Sequence, residues 1–194
     1  MSRIYADDLK VKDALQIYFS QYHFKDGGYN DKFFKIKLTD SIYIPLPNIK
    51  ARVDAVKIHD LHHLITEYTA VYKGEAEIGG WEIASGCGRF WVGWILNMGS
   101  FIIGMLFYQR PLLKAFLNGR LVKTNLCYGT VYNDELLNKT IGALRKEILP
   151  ETSAKNSAKD YWMFVCWCFI SLCYHLAVVS TFIYCSIKLI SFFF

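Results

Sequence analysis

The sequence predicts an all-α protein: a single helical domain over residues 1–150, a polar linker over 151–160 and a C-terminal transmembrane helix over 161–194. Two observations predict it. Hydrophobic residues reach 53% of the chain, above the roughly 45–50% of soluble domains, and two uncharged runs, Tyr161–Ile187 and Phe90–Gln109, hold the excess. Elsewhere the apolar residues recur near helical spacing, broken by Gly, Pro and Asn.

Tyr161–Ile187 is 27 residues without Lys, Arg, Asp or Glu. At about 1.5 Å per residue it spans about 40 Å, ample for a bilayer core of about 30 Å. No Gly or Pro follows Tyr161, so one spanning helix projecting from the domain is expected. Tyr161 and Trp162 stand where interfacial aromatics belong, and Lys155 and Lys159 flank the start of the run. That lysine bias puts the domain on the cytoplasmic side, or on the matrix side of a mitochondrial membrane. His175, in mid-run, reads as a tolerated polar residue. The second run, Phe90–Gln109, contains Gly93, Gly99 and Gly104. It reads first as a helix buried in the domain or dipping into the membrane surface, with a second span as the alternative, and it is expected to border the largest apolar pocket, within reach of the functional site.

The other elements follow in order. Asp8–Tyr22 carries an imperfect amphipathic stripe. Asp26-Gly27-Gly28 is a turn, and Phe33–Ile44 alternates loosely and reads as extended or irregular. After Pro45 and Pro47, Asn48 is the expected N-cap of a helix through His63. Gly74 and Gly86 bracket a short helix beginning at Glu75. Pro111 sits near the start of another helix that Gly119 closes. Asn133 or Asp134 caps one last helix running through Glu147 to Pro150.

A net charge of +5 with interspersed signs is too weak for a nucleic-acid partner and compatible with an anionic membrane surface. Of six cysteines, four lie in the C-terminal run and none forms a CxxC pair, so all read as reduced apolar fillers. The first residues resemble neither a secretory signal nor a transit peptide.

The informative stretch is His59-Asp60-Leu61-His62-His63, followed by Gly74-Glu75. Residues four apart share a helix face, so His59 and His63 can turn two imidazoles toward one ion. Asp60, one step round, can reach the same ion or orient a histidine. His62 points about 100° away from His63 and is excluded. Imidazole with carboxylate suits zinc or ferrous iron better than calcium or magnesium. The pattern is not HExxH, because no Glu lies between the histidines to serve as a base. No activated Ser or Cys and no phosphate-binding Gly loop is visible, so any catalysis rests on the metal. Glu82, seven residues after Glu75 on the same helix face, reads first as a solvated or capping glutamate, with a base or a group orienting the ligands as the alternative. Arg89, Arg120 and Asn125 are secondary candidates for contacting an anionic head group.

The spacing His59-Asp60, two residues, His63, eleven residues, Glu75 resembles the motif of the Coq-four family of ubiquinone biosynthesis. The neighbouring HDLHHLITEY, GEAEIGGWEIASGCG, NGRLVKTNL and LRKEI are similar too, and the likeness spans Tyr5–Leu149. The resemblance implies an all-helical fold and a divalent metal at His59, Asp60, His63 and Glu75. Zinc is the first choice of metal, with iron or magnesium as alternatives. It further implies binding of a polyprenylated quinone precursor at a membrane, decarboxylation of its head group, and association with other quinone-biosynthesis proteins. The family is mainly peripheral to membranes, and the C-terminal run departs from that pattern.

Two rival readings follow. A non-catalytic lipid-binding scaffold would use the same metal without chemistry. A phosphohydrolase of the His-Asp type would use His59-Asp60 with His23 and Asp134, leaving His63 and Glu75 idle. Which carboxylate neighbours His59, Glu75 or Asp134, separates the two enzyme readings. A single helix through both His63 and Glu75 would part them by about 18 Å. The metal reading therefore requires the helix to end soon after His63. Thr66, Tyr68, Thr69, Val71 and Tyr72, all mediocre helix formers, permit this.

Overall fold

The computed structural model describes residues 3–37, 42–122, 124–150 and 154–193. Among them the chain forms eight helices and one antiparallel strand pair. Helix α1 (Val11–Tyr22) precedes strands β1 (Phe33–Lys37) and β2 (Tyr43–Pro47). Then come α2 (Lys50–Thr66), α3 (Tyr72–Ser85), α4 (Trp91–Phe107), α5 (Gln109–Leu121), α6 (Asp134–Asn138), α7 (Ile141–Ile148) and α8 (Ala158–Phe193). The all-α class with one long apolar C-terminal helix is the observed one. Residues 38–41, in the stretch read as extended or irregular, and 151–153, at the start of the expected linker, lie outside the described residues.

The extended stretch is a strand pair in which Phe33 faces Pro47 and Lys35 faces Pro45. Both strands are edges, so the missing proline N–H groups cost the ladder little. Asn48 is not the cap of α2, whose N-cap is Ile49. Its side-chain amide donates to the carbonyls of Gly28 (2.9 Å) and Asp31 (2.8 Å), tying the glycine turn to the start of α2.

Helix α3 lies between α4 and α5 and packs on both. Two expected helix boundaries fall inside helices, for one reason. Gly74 is the third residue of α3, and a Cβ there would stand 1.9 Å from the Thr69 carbonyl oxygen. Gly119 does not close α5, and a Cβ there would stand 2.4 Å from the Trp81 carbonyl oxygen of α3. These glycines mark close backbone approach rather than helix ends. Gly86 does end α3, at φ 94°. The single helix expected from Asn133 is two. Asn133 caps α6 through the Leu136 N–H, and Thr140 caps α7 through the Ala143 N–H. Between them Lys139 and Ile141 bond backbone to backbone with Val11 and Leu9, which ties the break to α1.

One buried cluster joins α1, α2 and α7 through Tyr18, Leu61, Leu64 and Leu144. A second joins α3, α4 and α5 through Ile83, Phe101, Leu112 and Phe116, and Phe164 and Trp167 of α8 pack against it. Trp94 of α4 stacks on Trp167, centroids 5.6 Å apart. Arg120 Nε meets Asp160 at 3.0 Å, and Asn156 donates to the Leu117 carbonyl at 2.8 Å, which fixes the start of α8 on α5. Beyond these contacts α8 is largely exposed and apolar, and it is long and apolar enough to cross a membrane. None of the six cysteines forms a disulfide.

Arg145 of α7 is 6% exposed and grips the end of α2. Its guanidinium donates to the carbonyls of Leu64, Ile65 and Tyr5, and to Glu67 Oε1 at 2.7 Å. Glu67 is the C-cap of α2 in the left-handed region, φ 61°. That conformation costs a non-glycine residue about 1 kcal/mol or more, and the Glu67 side chain is held in return by Arg145 and the Ile4 N–H. Arg145→Met, which leaves this set of acceptors unmatched, is expected to lower stability by about 3 kcal/mol. The urea midpoint of the detergent-solubilised full chain measures it, and an unchanged midpoint would refute the clamp.

Candidate metal centre

Helix α2 presents His59 and His63 one turn apart, and α3 returns Glu75 in its first turn. Imidazole Nε2 of His59 lies 3.1 Å from Nε2 of His63. The Glu75 carboxylate oxygens lie 3.5 Å from each of these nitrogens. The chain leaves α2 at Thr66, passes non-helical Glu67–Val71 and re-enters a helix at Tyr72. That is the reversal the metal reading requires.

Each ring is held by its other nitrogen. His63 Nδ1–H donates to the Tyr68 carbonyl at 2.7 Å, within the turn that brings Glu75 back. His59 Nδ1–H donates to Glu82 Oε1 at 3.1 Å. The tautomers follow from the partners, because a carbonyl or carboxylate oxygen only accepts. Both Nε2 atoms are thereby aimed at one point with their lone pairs toward each other. A proton or a cation must stand between them.

The donor set fits a divalent ion. Ligands at 2.0–2.2 Å around a tetrahedral centre stand about 3.3–3.6 Å apart. Both carboxylate–imidazole separations, 3.5 Å, fall in that range, and the imidazole pair at 3.1 Å lies just below it. Two imidazoles and one carboxylate leave a fourth position open, the pattern of catalytic rather than closed structural zinc.

Asp60, expected among the ligands, stands outside this convergence. Its carboxylate accepts the Tyr29 hydroxyl at 2.6 Å. Burial pushes the Asp60 carboxyl up to about 6, against the opposing pull of His59 and of the Tyr29 hydrogen bond. His62 is also outside. Glu82, read from sequence as solvated or capping, is instead buried at the centre of the support. Its Oε1 accepts from His62 Nδ1 (2.6 Å) as well as His59, and its Oε2 accepts from the Asn97 amide of α4 (2.5 Å). The Leu126 N–H donates to His62 Nε2 at 3.2 Å, so both ring nitrogens are engaged. Burial would raise the Glu82 carboxyl, but His59 and His62 hold it well below its ordinary value. Its apolar neighbours Trp81, Ile83 and Ala84 were the available sign of burial.

A cavity of about 600 Å³ begins at His59, Asp60 and Glu75 and runs along α4 to α8. The Phe90–Gln109 segment therefore borders an apolar pocket beside the metal centre, as its composition led one to expect. Arg89, Arg120 and Asn125, the proposed anion contacts, do not line it. Arg89 stacks on Phe90, Arg120 holds Asp160, and Asn125 bonds to Ser85 and Gly86. The cation that does line it is Arg52, one helical stripe below His59 at i−7. Its Nη1 donates to Asn48 and its guanidinium lies over Phe34, yet nothing among the described residues accepts its buried Nε–H. His175, read as merely tolerated, lines the far end.

Comparison with protein-family models, curated proteins and solved structures yields no match. The site has to be read from its own chemistry.

Burial opposes charge on His59, but the Glu82 and Glu75 carboxylates outweigh it and raise its pKa well above the ordinary value. A metal must displace that proton. Apparent zinc affinity is therefore expected to rise with pH, by about tenfold per pH unit while His59 is protonated, and to level off once it deprotonates. Competition with a chromophoric chelator measures the slope, and a flat profile would contradict the shared proton. In the same assay Glu82→Gln, which loosens the His59 ring without touching the ion, is expected to weaken zinc binding about 10–100-fold.

Proposed function

We propose that this chain is a membrane-anchored, metal-dependent protein of prenylquinone biosynthesis. On this reading it binds a polyprenylated aromatic precursor and promotes decarboxylation of its head group. One observation carries the reading: the His59–His63–Glu75 convergence opens onto the polar end of a cavity that is otherwise apolar and reaches α8. The motif resemblance of His59, Asp60, His63 and Glu75 to the Coq-four family supports the same assignment. Zinc is the ion that fits the donor set best.

A divalent ion held there would supply a Lewis acid to a carboxylate or phenolate oxygen of the head group. The chain's own groups do the rest. Arg52, which lines the cavity, offers its guanidinium charge to the anionic head. Glu82 and the Tyr68 carbonyl keep both imidazoles aimed. The apolar cavity wall excludes water and accommodates the prenyl chain. Helix α8 would serve as the anchor, and the lysine bias of Lys155 and Lys159 ahead of the apolar run favours a domain on the cytoplasmic or matrix face. The phosphohydrolase reading finds no support, since Glu75 and not Asp134 neighbours His59, and His23 and Asp134 are both exposed.

Metal analysis and lipid mass spectrometry on the full chain purified in detergent test the assignment. One equivalent of zinc and a prenylated aromatic acid are expected. His63→Ala is expected to lose the metal and all product formation while keeping the tail-bound lipid. Arg52→Met is expected to keep the metal and to bind the lipid about tenfold more weakly. Metal and lipid bound without turnover would identify the non-catalytic scaffold instead.

A further inference from the structure

We propose that α8 is more than an anchor: it forms one wall of the lipid site, and the ligand reaches the metal centre sideways from the bilayer, between α4 and α8. The inference rests on the lipid-binding reading above and adds the route and the residues that line it.

The cavity is continuous from His59 and Glu75 to Gly99 and Ile103 of α4 and to His175 and Val178 of α8. His175 lies fourteen residues beyond Tyr161, about 21 Å along the helix. If Tyr161 marks the membrane surface, that end of the cavity lies at the depth of acyl chains. A water-filled pocket would not be expected to end there. The surfaces on either side are apolar and exposed: Ile95 and Leu106 on α4, Leu172 and Leu176 on α8. Such a surface is unfavourable in water and natural in lipid. Continuity of an apolar cavity with this surface admits a hydrocarbon chain without exposing it to water, while the head remains at the charged end.

Two local features agree with this passage. A Cβ placed on Gly99 meets nothing within 4 Å, so this position on α4 faces open space, unlike the tightly packed glycines of α3 and α5. His175 donates Nδ1–H to the Ser171 carbonyl of its own helix at 2.8 Å, which leaves Nε2 as the one polar ring atom able to serve the cavity. The occupant that fits is an amphiphile with a long unbranched or isoprenoid chain and a compact anionic head.

Gly99→Phe fills the passage without a steric clash at its first atom, and Val178→Trp fills it from the α8 side. The probes are geranylgeranyl-4-hydroxybenzoate and tail-free 4-hydroxybenzoate, offered to zinc-loaded full chain in phosphatidylcholine vesicles. Both variants are expected to bind one zinc as the wild type does, which reports an intact fold. Both are expected to bind the tailed probe at least about tenfold more weakly and the tail-free probe unchanged. Wild-type affinity for the tailed probe in both zinc-loaded variants would overturn the lateral route alone. Failure of the wild type itself to bind the tailed probe would overturn the lipid-binding reading together with the route.

Discussion

Two imidazoles on one helix and a carboxylate twelve residues later can meet only if the chain reverses between them. Everything at the metal centre depends on that reversal. It is made by Glu67, held in left-handed geometry, and by Tyr68, whose carbonyl takes the His63 N–H while its chain position begins the return. Arg145, from the far end of the domain, closes the end of α2 by satisfying the Leu64 and Ile65 carbonyls that α2 itself leaves open. The last carbonyls of a helix always need partners. Here the partner is a buried guanidinium, and the same side chain ties the N-terminal segment at Tyr5 and Glu67 into one cluster.

The second constraint is a buried negative charge. Glu82 is 3% exposed, and a lone carboxylate at such a place would be strongly disfavoured. It is retained because three donors reach it, from His59, His62 and Asn97. Those donors come from α2 and α4, so Glu82 on α3 fixes three helices relative to one another while it fixes the His59 tautomer. Structure and site are thus served by the same bonds. This explains why two adjacent histidines, His62 and His63, have unlike roles. One locks the support and the other faces Glu75 and His59.

Much of this was legible in the chain, and the failures share a cause. Periodicity and hydropathy located α8 and placed α4 beside a cavity, because uncharged length and composition are properties of a segment by itself. The weak helix formers from Thr66 to Tyr72 indicated the reversal for the same reason. Gly74 and Gly119 misled because a glycine that breaks a helix and a glycine that admits another backbone look alike until the second backbone is known. Glu82 and Tyr29 were undervalued or missed because their partners lie 15 to 31 residues away. Arg52 and Glu82 each had a local sign, the first its place on the His59 face and the second its apolar neighbours. The motif carried Asp60 into the ligand set, whereas the structure gives its carboxylate to the Tyr29 hydroxyl, a contact no spacing rule encodes.

Helix α8 has two kinds of surface, and their division along its length bears on how the protein works. Its first turns are fixed by Arg120, Leu117 and the aromatic contacts of Phe164 and Trp167. Among the described residues, its later turns beyond Val178 are almost entirely exposed. A membrane anchor needs only the second kind. A free tether could join the domain by a flexible linker and leave it to tumble above the bilayer. The rigid start denies that freedom and sets α4 at a fixed height and angle beside α8. For the lateral route proposed above, that rigidity is useful. It holds α8 against the cavity that runs from His59 and Glu75 to His175 and Val178.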